Sequence, residues 1–484
     1  MRILFVSVEV TPMAKVGGLA DVAGSLPAAL AARGHEVRVV TPAYPMITQE
    51  PKWAARLHKP SIRVPIRPGF DQTGELWTMT ANGVEHWLLG GSGHFDRCVN
   101  SAQLYSPGRD AYLFLARAAM RVCEEEGWIP DLVHANDWHT GFFPVLIREQ
   151  GGPAWDSTGC VFTIHNLAYQ GEFGPDTLDA VGLPQALFNY HQLETFGAVN
   201  FLKAGAIYSD QVNTVSPTYA REIQTAEYGC RLDGPMRFLA EEGRLRGILN
   251  GISYDYWNPE TDPHLTSHYS ADNLKGKTKC REWLIQEFDL KVPDRAPIVG
   301  MVSRLSEQKG FDLIARAAEH LVNLPMTLVV LGHGDLSITA AFQELAQKFP
   351  GRVVLADRFD EELAHRIYAG SDAFLMPSAF EPCGLGQMIA MHYGTLPIVR
   401  KTGGLADSVQ HDRNGFVFEA KSTGDLMIAC AHAVQTYQNS SRWSEMVRTA
   451  MTDDFSWTRS AAAYEDLYEK ARQARRKPAA VSVG

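Results

Sequence analysis

The run Ile3-Leu-Phe-Val-Ser-Val8, the loop Lys15-Val-Gly-Gly-Leu19, the segment 19–33 and the run Glu36-Val-Arg-Val-Val40 decide the fold. The outer two are short and rich in β-branched residues, the segment between them is long enough for about four helical turns, and two glycines punctuate the join. The same order repeats outward, with further strands expected at 132–135, 160–164 and 212–215. Such alternation predicts an α/β fold with a doubly wound parallel sheet and helices on both faces.

Around Leu249-Asn-Gly-Ile-Ser-Tyr-Asp-Tyr-Trp-Asn-Pro259 the rhythm breaks and a polar stretch follows. A second alternation then begins, with strands expected at 298–303, 327–331, 353–355, 373–377 and 397–399 and a helix from Gly310. The expected division is therefore a first Rossmann-like domain over 1–248, a second over 249–456, and a last segment over 457–484. In that segment Trp457, Ala461, Tyr464, Tyr468 and Ala471 recur at spacings of three and four, an apolar helical stripe expected to cross back onto the first domain. Arg475, Arg476, Lys477 and the small residues after them read as a solvated, frayed tail. Lys15-Val-Gly-Gly-Leu-Ala-Asp-Val22 is echoed by Lys401-Thr-Gly-Gly-Leu-Ala-Asp-Ser-Val409, which fits either two related halves or two unrelated glycine turns.

A chain of 484 residues with 45% hydrophobic and 21% charged residues can build two cores. Its net charge of -10 argues against a nucleic-acid partner and against anionic membrane surfaces, so a phosphate-bearing ligand must be held by local cations. Seven scattered cysteines without a C-x-x-C pair suit free thiols in a reducing cytoplasm. The apolar start runs into a glycine loop rather than a cleavage site, and no stretch reaches the ~18 apolar residues of a membrane span.

In open parallel sheets, ligands bind beyond the carboxyl ends of the strands, so the loops there are where chemistry is expected. Lys15, Gly17 and Gly18 either bring backbone N–H groups and a cation to a phosphate or make a tight turn. The loop is neither a Walker A sequence nor G-x-G-x-x-G, which disfavours a nicotinamide dehydrogenase. Arg304 and Lys309 lie on one loop after the strand at 298–303 and suit a diphosphate leaving group, or else are ordinary surface cations. Glu381, in Ser378-Ala-Phe-Glu-Pro-Cys-Gly-Leu-Gly-Gln387, precedes a helix and reads as a functional carboxylate or as that helix's cap. His165 and Asn166 end an apolar strand, where the histidine is a cleft residue or a satisfied core group; Asp137 is a site carboxylate or a cap. The chain has no Asp-x-Asp, so side-chain cations are expected to take a metal's part, with no cofactor and metal-independent chemistry.

Taken together, Lys15-Val-Gly-Gly-Leu19, Asn136-Asp-Trp-His139, Asn200-Phe-Leu-Lys-Ala-Gly205, Asn250-Gly-Ile252, Ser303-Arg-Leu305 with Gln308-Lys-Gly310, Glu381-Pro-Cys-Gly-Leu385 and Lys401-Thr-Gly-Gly-Leu405 resemble the bacterial and plant glycogen and starch synthases over nearly the whole chain. The resemblance implies a GT-B fold, two Rossmann-like domains facing a deep interdomain cleft, with the acceptor on the first and the nucleotide sugar on the second. It implies ADP-glucose as donor and a glycogen or α-1,4-glucan acceptor. Lys15 would sit at the donor site, Arg304 and Lys309 on the diphosphate, Glu381 near the transferred glucose, His165 on the sugar and Asp137 at the reacting centre. Gly17, Gly18, Asp21, Asn166, Asn250, Phe359, Cys383, Gly384, Leu385 and Gly386 are the remaining substrate-binding candidates. Four positions depart from patterns common among such enzymes: Val16 in the first loop, Phe359 where a tyrosine often stacks on adenine, Gly386 in place of a threonine, and Ile389 where many retaining transferases carry a second glutamate. The last is also missing from glycogen synthases of this type.

The expected reaction is retaining transfer of glucose from ADP-glucose to the non-reducing 4-hydroxyl of an α-1,4-glucan, with release of ADP. A UDP-glucose-using glucan synthase, a nucleotide-sugar epimerase on the same fold and a catalytically silent glucan-binding scaffold are the alternatives.

Overall fold

The computed structural model describes residues 1–476, so the expected tail from Lys477 onward lies outside the described residues. The chain divides into two compact α/β units. The first comprises Met1–Val215, Ala220–Asn250 and the last helix, Trp457–Arg476; the second comprises Ser216–Tyr219 and Gly251–Ser456.

In the first unit the strands are β1 (Arg2–Val6), β2 (Glu36–Pro42), β3 (Arg56–Arg67), β4 (Phe70–Ala81), β5 (Val84–Gly90), β6 (Leu132–Asn136), β7 (Gly159–Ile164), β8 (Glu172–Phe173), β9 (Glu194–Thr195), β10 (Ala198–Asn200), β11 (Gln211–Thr214) and β12 (Leu245–Gly247). Nine of them form one sheet in the order β12-β11-β7-β6-β1-β2-β5-β4-β3, and β8, β10 and β9 form a small second sheet. From β12 to β5 every pairing is parallel. The central strands β6, β7 and β11 are buried at every residue, as strands covered on both faces must be.

The expected parallel sheet is extended at one edge, where β3 and β4, not read from the sequence, form a long antiparallel hairpin that pairs on to β5. Gly69 turns the hairpin at φ +75°, and Ile62, Val64 and Ile66 alternate inward while their neighbours face solvent. Pro65 interrupts no ladder needed elsewhere because β3 is the edge strand.

The second unit has β13 (Ile298–Val302), β14 (Thr327–Leu331), β15 (Val353–Ala356), β16 (Ala373–Met376), β17 (Leu396–Arg400) and β18 (Phe416–Phe418), all parallel, in the order β15-β14-β13-β16-β17-β18. In both sheets the strand order reverses next to the first strand, at β1/β6 and at β13/β16. A crevice opens at such a switch point because the connections from the two strands leave in opposite directions.

The last helix packs on the first unit through Trp457, Ala461, Tyr464, Leu467, Tyr468 and Ala471, all buried. Two of its hydroxyls satisfy core polar groups: Tyr468 Oη lies 2.7 Å from His134 Nδ1, and Tyr464 Oη accepts from Asn213 Nδ2 at 3.2 Å. Arg475, expected in a solvated tail, instead pairs with Asp210 at 2.6 Å. Among the described residues no helix is long and apolar enough to cross a membrane.

Candidate active site

At the switch point of the first unit, the loop after β1 carries Lys15, Gly17 and Gly18 and leads into the helix Gly18–Ala32. Lys15 Nζ donates to Asp21 Oδ1 at 2.8 Å. The tight-turn reading of the two glycines does not hold. Gly17 is extended at φ -143°, and an added Cβ at either glycine would meet nothing within 4 Å. The protein's own packing therefore does not demand glycine here, whereas it does at the echoed pair: a Cβ on Gly403 would lie 1.9 Å from the Glu381 carbonyl oxygen and one on Gly404 2.0 Å from that of Cys383. The phosphate-cradle reading is also altered, because the Val16 and Gly17 N–H groups donate to Glu9 Oε2 at 2.6 and 2.7 Å. Glu9 was hidden in the sequence as one acid within an apolar run. Its carboxyl is 1% exposed, and burial raises its pKa above the ordinary carboxylate value.

Beyond β6, Asp137 adopts φ +56° and ψ 175°, a backbone region essentially reserved for glycine, so strain is stored at this carboxylate. It makes no cap hydrogen bond to the short turn Trp138–Thr140, which corrects the capping alternative. The turn instead aims Oδ1 at the N–H of His165, 2.8 Å away at the end of β7. Burial pushes the Asp137 carboxyl up to about 7, backbone N–H groups of His165 and Asn166 oppose the rise, and the Glu9 charge adds to it. His165 Nε2 lies 3.0 Å from Asn136 Oδ1. The Asn136 amide nitrogen donates to two backbone carbonyls, so its oxygen faces the ring and His165 donates from Nε2, leaving Nδ1 as an acceptor. Burial lowers this imidazole to about 3, so it is neutral at working pH. Asn166 is half-buried beside it, and Asn250, 4% exposed, closes the first unit with an Oδ1 that has no hydrogen-bond partner among the described residues.

The Asp137 shift predicts a pH-dependent stability. A carboxyl that ionises near 3.8 when unfolded and near 7 when folded imposes no cost below pH 4 and destabilises the protein progressively as pH rises through 7. At 1.36 kcal/mol per pH unit the ceiling is about 4 kcal/mol. Asp137→Asn is therefore expected to melt with the wild type at pH 4 and clearly above it at pH 8. Equal melting temperatures at pH 8 would contradict this.

In the second unit, Arg304 and Lys309 follow β13, and Ser378 and Glu381 follow its neighbour β16. Gly310, at φ +78°, lets these two loops meet, since a Cβ there would lie 2.2 Å from the Pro377 carbonyl oxygen. Ala379 N–H donates to the Gln308 carbonyl at 2.8 Å. Lys309 Nζ consequently reaches both Glu381 oxygens at 2.9 and 2.7 Å, and Ser378 Oγ donates to Oε2 at 3.0 Å. Glu381 is 5% exposed and caps nothing; the helix Gly386–His392 begins after Leu385 without a side-chain cap, which corrects that alternative. Arg400, unmarked by any sequence motif, is buried and donates to the carbonyls of Ser378 and Ala379, fixing the backbone under Glu381.

Arg304 is exposed, with no hydrogen-bond or ion-pair partner among the described residues, so it does not join Lys309 in one internal cluster. Cys383, Gly384, Leu385 and Gly386 run from Glu381 into the helix, and Gln387 Nε2 holds the carbonyls of Cys383 and Gly384 at 3.2 and 2.8 Å. Phe359 stands apart in the loop after the edge strand β15, 90% exposed. Among the described residues, His411, Asp412 and His432 are grouped closely enough to hold a cation and include none of these candidates. Val417 N–H donates to His411 Nδ1 at 3.0 Å, which puts that ring's proton on Nε2, where a metal facing Asp412 would need a lone pair.

Residues 2–238 match the family model of the starch synthase catalytic domain and residues 296–436 that of glycosyl transferases group 1. The chain is 41% identical to glycogen synthase 1 of Methylococcus capsulatus, with 97% of each chain covered, and 43% identical to the glycogen synthase of Anaeromyxobacter sp., with 97% of this chain and 99% of that one covered. Among solved structures, the catalytic domain of starch synthase IV from Arabidopsis thaliana, bound to ADP and acarbose, superposes with a TM-score of 0.88 at 34% identity over 97% of this chain and 99% of that one. Identities of 41% and 43% to glycogen synthases over nearly the whole of both chains, on two Rossmann-like units whose strand order reverses beside the first strand, place the chain in the glycogen synthase family of GT-B glycosyltransferases.

Proposed function

We propose that the protein is a retaining glucosyltransferase that passes glucose from ADP-glucose to the non-reducing 4-hydroxyl of an α-1,4-glucan and releases ADP. The observation that carries this reading is the switch point of the second unit, where an exposed Arg304, without a partner among the described residues, shares a loop with a Lys309 seated on buried Glu381. A nucleoside diphosphate gains negative charge as its bond to the sugar breaks, and preorganised cations stabilise that charge most where it develops. Arg304 grips phosphate oxygens as a fork; Lys309 gives two donors to Glu381 and keeps a third for the leaving group. In this reading the two cations take the part that a metal plays in other sugar-nucleotide enzymes, and no cofactor is required.

The remaining groups divide the sugar and the nucleotide between them. Glu381 lies by the transferred glucose, neutral His165 accepts from a sugar hydroxyl at Nδ1, and Asp137, ionised above about pH 7, faces the positive charge of an oxocarbenium-like transition state. Lys15, with Gly17 and Gly18 leaving open space for close approach, serves the donor site together with Asp21, and the exposed ring of Phe359 is offered to the adenine. The names of the glycogen synthases, and the ADP bound by starch synthase IV, support a glucan product and an adenine nucleotide as leaving group.

The test compares labelled ADP-glucose and UDP-glucose at equal concentration, with and without glycogen. Label entering polymer from ADP-glucose, with ADP released only when glycogen is present, is the expected result. Preference for UDP-glucose would reassign the donor, a free sugar or isomer formed without glucan would indicate an epimerase, and no nucleotide release would leave only glucan binding.

A further inference from the structure

Glu9 is a buried acid to which the reaction above gives no part. Its two oxygens are used in opposite directions: Oε2 takes the N–H groups of Val16 and Gly17, and Oε1 takes the hydroxyl of Tyr105. Between Glu9 and the loop, Val10 and Ala14 exchange two backbone hydrogen bonds of 2.8 Å, so the intervening residues form a closed turn and the carboxylate is what ties Lys15, Val16 and Gly17 back to β1. An apolar side chain would close such a turn without the desolvation of a carboxylate. The amides it binds directly follow Lys15 and lead into Gly18, and both Gly17 and Gly18 have open space in front of them.

The other side of Glu9 leads to the second feature of the first unit. The Tyr105 ring stacks on His139 with centroids 4.8 Å apart at 18°, and His139 stacks on Trp138 at 3.9 Å. Both His139 nitrogens are buried without a hydrogen-bond partner among the described residues, so the ring serves as a flat support. Trp138 directly follows Asp137, whose strained turn sets the carboxylate direction. One continuous set of contacts therefore runs from the Lys15 loop through Glu9, Tyr105, His139 and Trp138 to Asp137.

We infer that Glu9, locked by Tyr105, is a positioning residue that holds the Lys15–Gly18 loop in register with Asp137 for donor binding, an inference that rests on the glucosyl-transfer reading. It acts through the loop's own amides and touches no substrate. Its loss lets Lys15 wander, and misplacement of a binding group by about 1 Å costs on the order of 100-fold.

The test is a double-mutant cycle on transfer from ADP-glucose to glycogen, with melting temperatures recorded alongside. Glu9→Ala is expected to lose about 100-fold in kcat/KM for ADP-glucose with KM for glycogen unchanged. Tyr105→Phe loses about 10-fold in the same direction. Glu9→Gln recovers most of the activity, because its amide oxygen accepts from Val16 and Gly17 while its amide nitrogen donates to Tyr105 Oη. In a Lys15→Ala background, Glu9→Ala costs less than about threefold further, since the group being positioned is already gone. Equal losses in both backgrounds, or a loss falling on the glycogen KM, would overturn the inference by marking Glu9 as merely structural. Should Glu9→Ala fail to fold, Tyr105→Phe and Glu9→Gln decide the matter in the same two backgrounds. A wild type that transfers from neither nucleotide sugar removes the function proposed above and this inference with it; a wild type that transfers while Glu9→Ala matches it removes this inference alone.

Discussion

Arg304→Ala is expected to lower glucosyl transfer by about 10²–10³-fold while leaving thermal unfolding unchanged, and Lys309→Ala is expected to lower both. The difference follows from what each cation touches. Arg304 is exposed and has no hydrogen-bond or ion-pair partner among the described residues, so its removal withdraws about 3 kcal/mol of transition-state stabilisation and no folding energy. Lys309 is the cation partner of Glu381, which is 5% exposed and would be left with only Ser378 Oγ. Breaking a fully buried pair costs roughly 3–5 kcal/mol; Lys309 still reaches solvent, so about 2 kcal/mol is expected, a drop of roughly 5 °C in melting temperature. Paired kinetics and calorimetry on the two variants separate the cases. Full activity in either variant removes that residue from the site, and an unchanged melting temperature in Lys309→Ala contradicts the ion-pair argument.

The second large effect concerns the last helix. A chain ended at Thr452 is expected to be insoluble or to lack a cooperative transition for its first unit. Trp457, Tyr464, Leu467 and Tyr468 are buried there, and at about 2 kcal/mol each they contribute on the order of 8 kcal/mol, comparable with the 5–15 kcal/mol that holds a whole domain together. The loss is deepened because His134 and Asn213, both fully buried, would lose the hydroxyls of Tyr468 and Tyr464. Each orphaned polar group adds about 1–3 kcal/mol. A soluble truncated chain with wild-type melting would show that the stripe is dispensable.

Ten of the parallel strands were legible as short apolar runs followed by a loop, and the loops after them carry Lys15, Asp137, His165, Arg304, Lys309 and Glu381, whereas β5, β12 and β18 were not read from the sequence. The hairpin of β3 and β4 was missed although Ile62, Val64 and Ile66 alternate clearly, because Pro60 and Pro65 read as breakers unless the run is known to lie at a sheet edge. The partners of the site carboxylates were not legible. A cap reading of Glu381 stayed open beside the functional one because capping is local, whereas Lys309 lies 72 residues away and meets it because Gly310 lets two loops touch. The cap reading of Asp137 stayed open for the same reason, and its positive φ turns the carboxylate to His165, 28 residues on. Glu9 gave no signal at all, since its role lies in backbone amides that carry no side-chain signature.

In the proposed reaction the loop after β13 holds the diphosphate of the leaving nucleotide. A crystal structure of the protein with ADP tests it most directly. Guanidinium nitrogens of Arg304 and Nζ of Lys309 are expected within about 3 Å of phosphate oxygens, with Lys309 still in contact with Glu381. ADP bound with its phosphates on other groups, and both side chains turned to solvent, would contradict it.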